Sequence, residues 1–265
     1  MDTWSGDAEE PEKPSSSSGC PICKGAGFVH PPLPSGKPDF SQVIACRCTR
    51  EESAKEHQSR LQRDSGLNLE LLRKMTFDNF DWRRVNLPPE QREDLEAVFR
   101  EALNFAKSPD GWIVLQGVTG CGKTHLAAAI ANYRLKLGKP ALFVMVSDFL
   151  DHLRSTFSPE SKVSYDELFE EVKSTPLLIL DDFGEQSTTP WAQEKLYQVI
   201  NHRYNARLAT VITTRYSLDE IDSPISSRLV DAENSLVFNI TAPDYRCSRR
   251  PTPKTGTHRR TRKER

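Results

Sequence analysis

The chain has 265 residues, of which 37% are apolar, and its acidic and basic side chains nearly cancel to a formal net charge of −1. That is enough for one sizeable domain with appendages. No apolar run approaches the roughly 18 residues that a membrane-spanning helix needs, and no basic-then-apolar leader opens the sequence, so a soluble cytoplasmic protein without membrane partners is expected.

Residues 1–18 are acidic and rich in Pro and Ser (Asp2, Asp7, Glu9, Glu10, Glu12, then Ser15 to Ser18), a composition that cannot bury enough apolar surface to order itself. Residues 19–48 hold Cys20-Pro-Ile-Cys23 and, after a Gly/Pro-rich loop, Cys46-Arg-Cys48. Four thiolates in a segment with few large apolar groups suit a closed tetrahedral Zn²⁺ site, whose binding would supply much of the folding free energy. A disulfide framework is the competing reading. It fits a reducing compartment poorly. His30 lies near enough in sequence to compete as a ligand, and the remaining cysteines, Cys121 and Cys247, are assigned no chemical role of their own.

Residues 49–74 form a charged helical linker: Thr49 to Asp64 has no Gly or Pro, and Ser65-Gly66 ends it. From 75 to 245 strand and helix patterns alternate. The spacing of Leu95, Val98, Phe99, Ala102, Leu103 and Ala106 predicts an amphipathic helix over Pro89–Ala106. Strands are expected at Trp112–Gln116, Ala141–Val146, Leu177–Asp182, Ala209–Thr214 and Ser235–Ile240. Helices are expected after Lys123, near Ser147–Phe157, at Ser164–Ser174 and at Pro190–Asn205. The alternation argues an α/β fold with a five-stranded parallel sheet covered by helices on both faces.

Between the first of these strands and its helix lies Gly117-Val-Thr-Gly-Cys-Gly-Lys-Thr124, a complete phosphate loop. Gly117, Gly120 and Gly122 permit the close backbone approach a triphosphate needs. Lys123 would reach the β- and γ-phosphates, Thr124 would ligate Mg²⁺, and the following helix would present its positive end. Counting its flanks, the nucleotide-binding run takes in Thr119, Cys121 and His125. Leu177-Leu-Ile-Leu-Asp-Asp182 is a buried-strand pattern ending in two acids. Successive side chains leave a strand in different directions, so Asp181 can hold the Mg²⁺ shell while Asp182 polarises the attacking water. ATP and Mg²⁺ are thus the expected cofactors, with hydrolysis as the reaction.

Residues 246–265 carry nine Lys/Arg against the single acid Glu264. Such a tail does not fold alone and suits phosphate backbones; a solvated tail that aids solubility is the plain alternative.

Taken together, the phosphate loop followed by His-Leu-Ala, Leu-Leu-Ile-Leu-Asp-Asp-Phe-Gly, the Trp191-Ala-Gln-Glu-Lys-Leu196 helix leading to Arg203-Tyr204, Thr-Val-Ile-Thr-Thr and Ser227-Arg-Leu229 resemble the AAA+ ATPases of the DnaC/DnaI type. These load the replicative helicase and stand close to DnaA initiators and transposition helper ATPases. The resemblance spans roughly residues 67–246. It implies that Thr214 senses the γ-phosphate, although Arg215 stands where many relatives have Asn. It implies that Arg228 is an arginine finger completing a neighbouring subunit's site, which would make the protein self-assembling. Phe77 and Phe80 resemble the adenine-lining segment, and Ser147–Ser174 resembles the extra helical insertion that holds single-stranded DNA, with Arg154 and Lys162 as candidate phosphate contacts. The implied lid is missing or minimal, and Arg246 is a candidate substitute for its arginine.

Three functional readings follow. The first is a helicase loader that binds single-stranded DNA and a hexameric replicative helicase. The second is a transposition helper that assembles on duplex DNA and regulates a transposase, and the third is a nucleotide-binding interaction protein with negligible turnover.

Overall fold

The computed structural model describes residues 20–24, 26–33, 36–49, 59, 65–67, 69–157, 164–184 and 189–248. The acidic segment 1–18, most of the charged linker at 50–64, Lys162, the side chain of Cys247 and the basic tail from residue 249 onward lie outside the described residues. The chain divides into two compact units with the boundary between Arg60 and Leu61. Among the described residues no helix is long and apolar enough to cross a membrane.

In the smaller unit, β1 (Phe28–Val29) pairs antiparallel with β2 (Ile44–Ala45), with Phe28 opposite Ala45 and Val29 opposite Ile44. Two strands of two residues each cannot hold a fold by themselves. A tight turn precedes them, closed by Lys24 N–H on Cys20 O at 2.9 Å, and Cys46 N–H donates to Gly27 O at 2.8 Å, which brings the two cysteine pairs to one end of the hairpin.

The larger unit begins with α1 (Glu70–Lys74) and a short 3₁₀ turn at Phe77–Asn79, then α2 (Pro89–Lys107), close to the span its spacing predicts. There follow β3 (Trp112–Gly117), α3 (Lys123–Lys136), β4 (Leu142–Met145), α4 (Val146–Ser155), α5 (Tyr165–Ser174), β5 (Leu177–Asp181), α6 (Pro190–Asn205), β6 (Ala209–Thr214), α7 (Ser223–Leu229), β7 (Ser235–Ile240) and α8 (Tyr245–Ser248). The strands form one fully parallel sheet in the order β4-β5-β6-β3-β7.

Strand periodicity divides the core in two. Ile113, Leu115, Leu177, Ile179, Ala209 and Val211 join α1, α2 and α3 on one face. Their sequence neighbours Trp112, Val114, Leu178, Leu180 and Ile212 join α4, α5, α6 and α7 on the other. Burial on both faces is why β3 and β5 read as continuous apolar runs. Because β5 and β6 are inserted between β3 and β4, the chain reverses direction across the sheet beside β3. The loops at the carboxyl ends of β3, β5 and β6 therefore open into one crevice, where doubly wound sheets bind ligands. The shelf of β4 is extended by Phe143 N–H, which donates to Ser65 O at 2.7 Å.

Candidate nucleotide site and cysteine centre

The loop after β3 wraps the first turn of α3. Gly122 has φ 118°, a left-handed value, and a methyl group there would meet the Phe80 ring at 2.9 Å, so both backbone and space exclude a larger residue. The Lys123 ammonium, 6% exposed, donates to Gly117 O at 2.7 Å and Val118 O at 2.9 Å. Its positive charge is thereby held inside the loop by carbonyl dipoles, with Cys121 Sγ 3.8 Å away as a third neighbour. Cys121 is buried and Val118 and Thr119 are exposed on the loop's outer side.

Opposite, the Asp181 carboxylate at the end of β5 is 1% exposed. It accepts from Thr124 Oγ1 at 3.0 Å and from Thr213 Oγ1 at 2.6 Å. Burial pushes its pKa up to about 6; the neighbouring Asp182 adds to that, while the Thr213 and Thr124 hydroxyls and the Lys123 charge oppose it. A hard divalent cation fits this donor set, since Thr124 and Asp181 offer adjoining oxygens and the metal's charge would favour the ionised carboxylate.

Asp182 leaves the strand. The expected strand at Leu177–Asp182 ends one residue early because Asp182 adopts φ 54°, a left-handed conformation that Asp tolerates better than most residues. The turn is braced by β6: Asp182 N–H donates to Thr213 Oγ1 at 3.0 Å and Phe183 N–H to Thr213 O at 2.8 Å. The left-handed turn thus sets Asp182 directly after Asp181 at the carboxyl end of the sheet, near enough for its charge to act on the Asp181 carboxyl.

Thr214 is buried at the same strand end, but its hydroxyl donates to Phe183 O at 2.8 Å and accepts from Tyr216 N–H at 3.1 Å. Those two bonds commit it to the Asp182–Gly184 turn. Thr213, which sequence reasoning passed over, is the threonine that reaches Asp181. Only the Thr-Thr repeat hinted that two hydroxyls would end this strand. Arg215 is exposed and donates to Tyr216 Oη at 2.9 Å.

The Thr76–Phe80 segment closes the site from the other side. His125 Nε2 lies 3.1 Å from Thr76 O and 3.0 Å from Asn79 Oδ1, so this nitrogen carries the proton and ties α3 to the segment. Burial holds the imidazole below its ordinary pKa. Phe80 meets the His125 ring edge-on at 5.1 Å and stacks on Phe99 at 5.9 Å, directly over Gly122. Phe77 points elsewhere, into Phe99 and Tyr133, beside a cavity of about 270 Å³ lined also by Thr76, Asn132 and Lys136.

Arg228 folds back onto its own chain. Its guanidinium donates to Pro224 O, to Asn201 Oδ1 at 2.8 Å and to Tyr197 Oη at 3.4 Å, and lies over the rings of Tyr197 and Tyr204 at 5.2 and 5.7 Å. Arg203 is wholly buried. It donates to Thr210 Oγ1 and to the carbonyls of Val172, Lys173, Thr175 and Ala209, and desolvation pulls its pKa down to about 9. Three of those carbonyls end α5, whose negative pole stands in for the absent carboxylate. Nearby, Arg154 lies 5.1 Å over Trp191. Phe157, 63% exposed, stacks on Tyr165 at 5.5 Å and meets Trp191 edge-on at 6.4 Å.

In the smaller unit the Sγ atoms of Cys20, Cys23, Cys46 and Cys48 all lie within 4.8 Å of one another. The Cys20–Cys46 and Cys23–Cys48 separations are 3.9 and 3.5 Å, against about 3.8 Å for the edge of a tetrahedral Zn–S₄ site built on bonds of about 2.3 Å. Backbone N–H groups of Cys23 and Ile22 lower the Cys20 pKa, while desolvation first, and then the other thiols, push Cys48 up to about 11. The four donors can hold one tetrahedral metal ion. His30 is turned away, its Nδ1 2.7 Å from Gln42 O.

With this geometry in hand, the family described as IstB-like ATP binding protein matches residues 40–232. The chain belongs to that family. It is 30% identical over 200 residues to the replicative helicase loader DnaC of Buchnera aphidicola from Acyrthosiphon pisum, a match covering 74% of this chain and 78% of that protein. It is also 31% identical over 131 residues to the replicative helicase loader DnaI of Bacillus subtilis, covering 47% of this chain and 41% of that one. Similar solved structures include the DnaC helicase loader (TM-score 0.55, 20% identity, 65% of this chain and all of that one). Domain III of DnaA from Thermotoga maritima aligns with a TM-score of 0.53 at 24% identity, covering 64% and 68%. The fold is thus the AAA+ fold of DnaC and DnaA, and the homologous proteins are helicase loaders.

Proposed function

We propose that this protein is an ATP-hydrolysing helicase loader of the cytoplasm, which binds single-stranded DNA and delivers a hexameric replicative helicase. The observation that carries the reading is the Thr124–Asp181–Thr213 arrangement facing the phosphate loop, in a chain whose relatives are named helicase loaders. Lys123 and the loop amides would bind the β- and γ-phosphates, with Gly117, Thr119, Gly120, Cys121, Gly122 and His125 forming the cradle. Thr124 and Asp181 would hold Mg²⁺, which neutralises developing charge. Asp182 would orient the attacking water. Both threonines ending β6 brace the turn that carries Asp182; Thr214, bonded to Phe183 O, would sense the γ-phosphate as the family resemblance implies, and Thr213 would support it by holding Asp181 and the Asp182 N–H. Arg228 would act in a neighbouring protomer once withdrawn from Tyr197 and Asn201, so turnover requires self-assembly.

The exposed Phe157, backed by the half-buried Tyr165 and Trp191, suits a stacked base, and Arg154 beside it, paired with Asp151 at 2.9 Å, can exchange that partner for a phosphate; both support single-stranded DNA as a partner. Four thiolates support Zn²⁺ in a module spanning 19–48, ahead of an ATPase domain spanning 75–245. The family's breadth keeps the transposition helper as the second reading.

The deciding experiment is steady-state ATP hydrolysis against protein concentration with no DNA, single-stranded DNA or duplex of equal length, for wild type, Arg228→Ala and Asp182→Asn. A loader gives a rate stimulated chiefly by single strands, steeper than linear in protein, lost in Arg228→Ala and in Asp182→Asn despite retained ATP binding. Stimulation chiefly by duplex selects the helper, and ordinary turnover in Asp182→Asn removes that residue's assigned role.

A further inference from the structure

The wall of the phosphate loop is completed by the chain that follows β7. Tyr245 N–H donates to Gly120 O at 3.0 Å. Pro243 O accepts from the nearly buried Arg84 at 3.0 Å, and that guanidinium covers the Tyr245 ring at 5.0 Å. Tyr245 Oη reaches Asp81 at 3.4 Å. Between these contacts the Asp244 carboxylate is pressed against Gly120, so closely that a methyl group on that glycine would fall inside it. Gly120, at φ 78°, is therefore doubly constrained, by its backbone and by a negative charge.

A carboxylate is an odd neighbour for a loop that attracts polyphosphate. Asp244 forms no ion pair among the described residues; its Oδ1 accepts only from Arg246 N–H, at 2.8 Å. The other charges on this wall, Arg84, Asp81 and Arg246, are directed to Pro243 and Tyr245, to Tyr245 Oη, and to solvent. Like charges separated by a few ångströms in a partly desolvated site repel strongly.

We propose that Asp244 sets the affinity of the nucleotide site: its charge opposes the arriving polyphosphate, which displaces it together with residues 241–246, so that occupancy is transmitted to the start of the basic C-terminal segment. The inference rests on the ATP-site reading above. It adds a residue to that site and a mechanical consequence of filling it. Asp and Asn share shape and both accept the Arg246 N–H bond, so Asp244→Asn removes the charge while keeping the local turn.

The test uses the full chain and a non-hydrolysable ATP analogue with Mg²⁺, for wild type, Asp244→Asn, Asp244→Ser and Lys123→Ala. Affinity is read by calorimetry and the Tyr245 amide by hydrogen exchange. Removing one like charge is expected to tighten binding about tenfold in both Asp244 variants. In wild type the analogue should speed exchange at Tyr245, as the bond to Gly120 O is lost, and the acceleration should shrink in Asp244→Asn. Unchanged or weaker binding in both Asp244 variants overturns the proposal, as does a Tyr245 amide indifferent to the analogue. Failure of wild type to bind at all, equal to Lys123→Ala, overturns the ATP-site reading and the proposal with it.

Discussion

The larger unit packs both faces of a five-stranded sheet, and residues such as Ile113, Leu115, Ile179 and Val211 are wholly removed from water. At about 1.5–3 kcal/mol for each fully buried aliphatic side chain, such a core sustains itself. In the cysteine unit Ile22, Phe28, Phe40 and Val43 are exposed, Phe40 to 76%. Its order rests on two short strands, a few turns and four converging thiols. The same chain thus contains one unit whose folding is driven by apolar burial and one in which the proposed coordination by four thiolates would do that work. This difference tells an experimenter which perturbations will stay local.

The largest expected effect comes from removing the coordination. With Cys46 and Cys48 both changed to Ser, the protein should retain no zinc by elemental analysis, and backbone resonances of residues 20–49 should collapse toward random-coil shifts. Structural zinc contributes on the order of 10–16 kcal/mol in small modules, which nothing else in this unit can replace. Nucleotide affinity of the larger unit should be unaffected. Stoichiometric zinc in the double variant would sink the four-thiolate site and blur the contrast between the units.

Next in size is Lys123→Ala, which removes the buried cation from the phosphate loop. ATP affinity should fall by at least about a hundredfold, the order of a lost charge-assisted contact of roughly 3 kcal/mol. The far-ultraviolet spectrum and zinc content should match wild type. Coupled loss of zinc would mean the units are not independent.

A smaller effect, confined to the core unit, concerns Asp181. Its folded-state pKa of about 6 lies above the ordinary carboxyl value of 3.8. A carboxyl whose pKa is raised on folding costs stability when ionised, so the penalty is full above about pH 6 and is relieved as pH falls through 6 toward 4. Asp181→Asn should therefore raise the unfolding free energy of the nucleotide-free protein at pH 7.5 by about 1–3 kcal/mol. The gain should shrink to roughly a third near pH 4.5 and vanish only below the unfolded carboxyl value of 3.8. A gain independent of pH would point to packing rather than charge.

The smallest effect expected is that of Thr213→Val. Deleting a hydroxyl bonded to a buried carboxylate and to the Asp182 N–H should cost about 1–2 kcal/mol. It should also slow turnover more than it weakens ATP binding, since the turn carrying Asp182 loses a brace. Equal loss in both would place Thr213 in binding alone.

Much of this organisation was legible in the amino-acid order. The phosphate loop is contiguous, and its glycines, lysine and threonine must be adjacent to make one cradle, so eight residues carry the whole signal. The acid pair after an unbroken apolar run was legible for a similar reason, because a buried strand writes its environment into every position. Helix and strand spans from Pro89 to Ile240 agreed within a few residues wherever periodicity was strong. Helix α7 and the two-residue strands β1 and β2 carried too few residues to show a period.

Other features depended on the three-dimensional path of the chain. That Thr213 rather than Thr214 meets Asp181 depends on which way the end of β6 faces, and the two share one chemistry and adjacent numbers. Arg228 was readable as a cation in a motif, but its resting place against Tyr197, Tyr204 and Asn201 requires α6 and α7 to pack together. The burial of Arg203 among helix-ending carbonyls, the cover of Gly122 by Phe80 and of Gly120 by Asp244 join segments far apart in sequence. Local order determined which residues could form a nucleotide cradle, a metal knuckle and the strands between them, because each of those needs only neighbours. The strand order, which inserts β5 and β6 beside β3, decided which distant groups share the crevice, because long-range contacts are set by how sheets close and not by the spacing of residues along the chain.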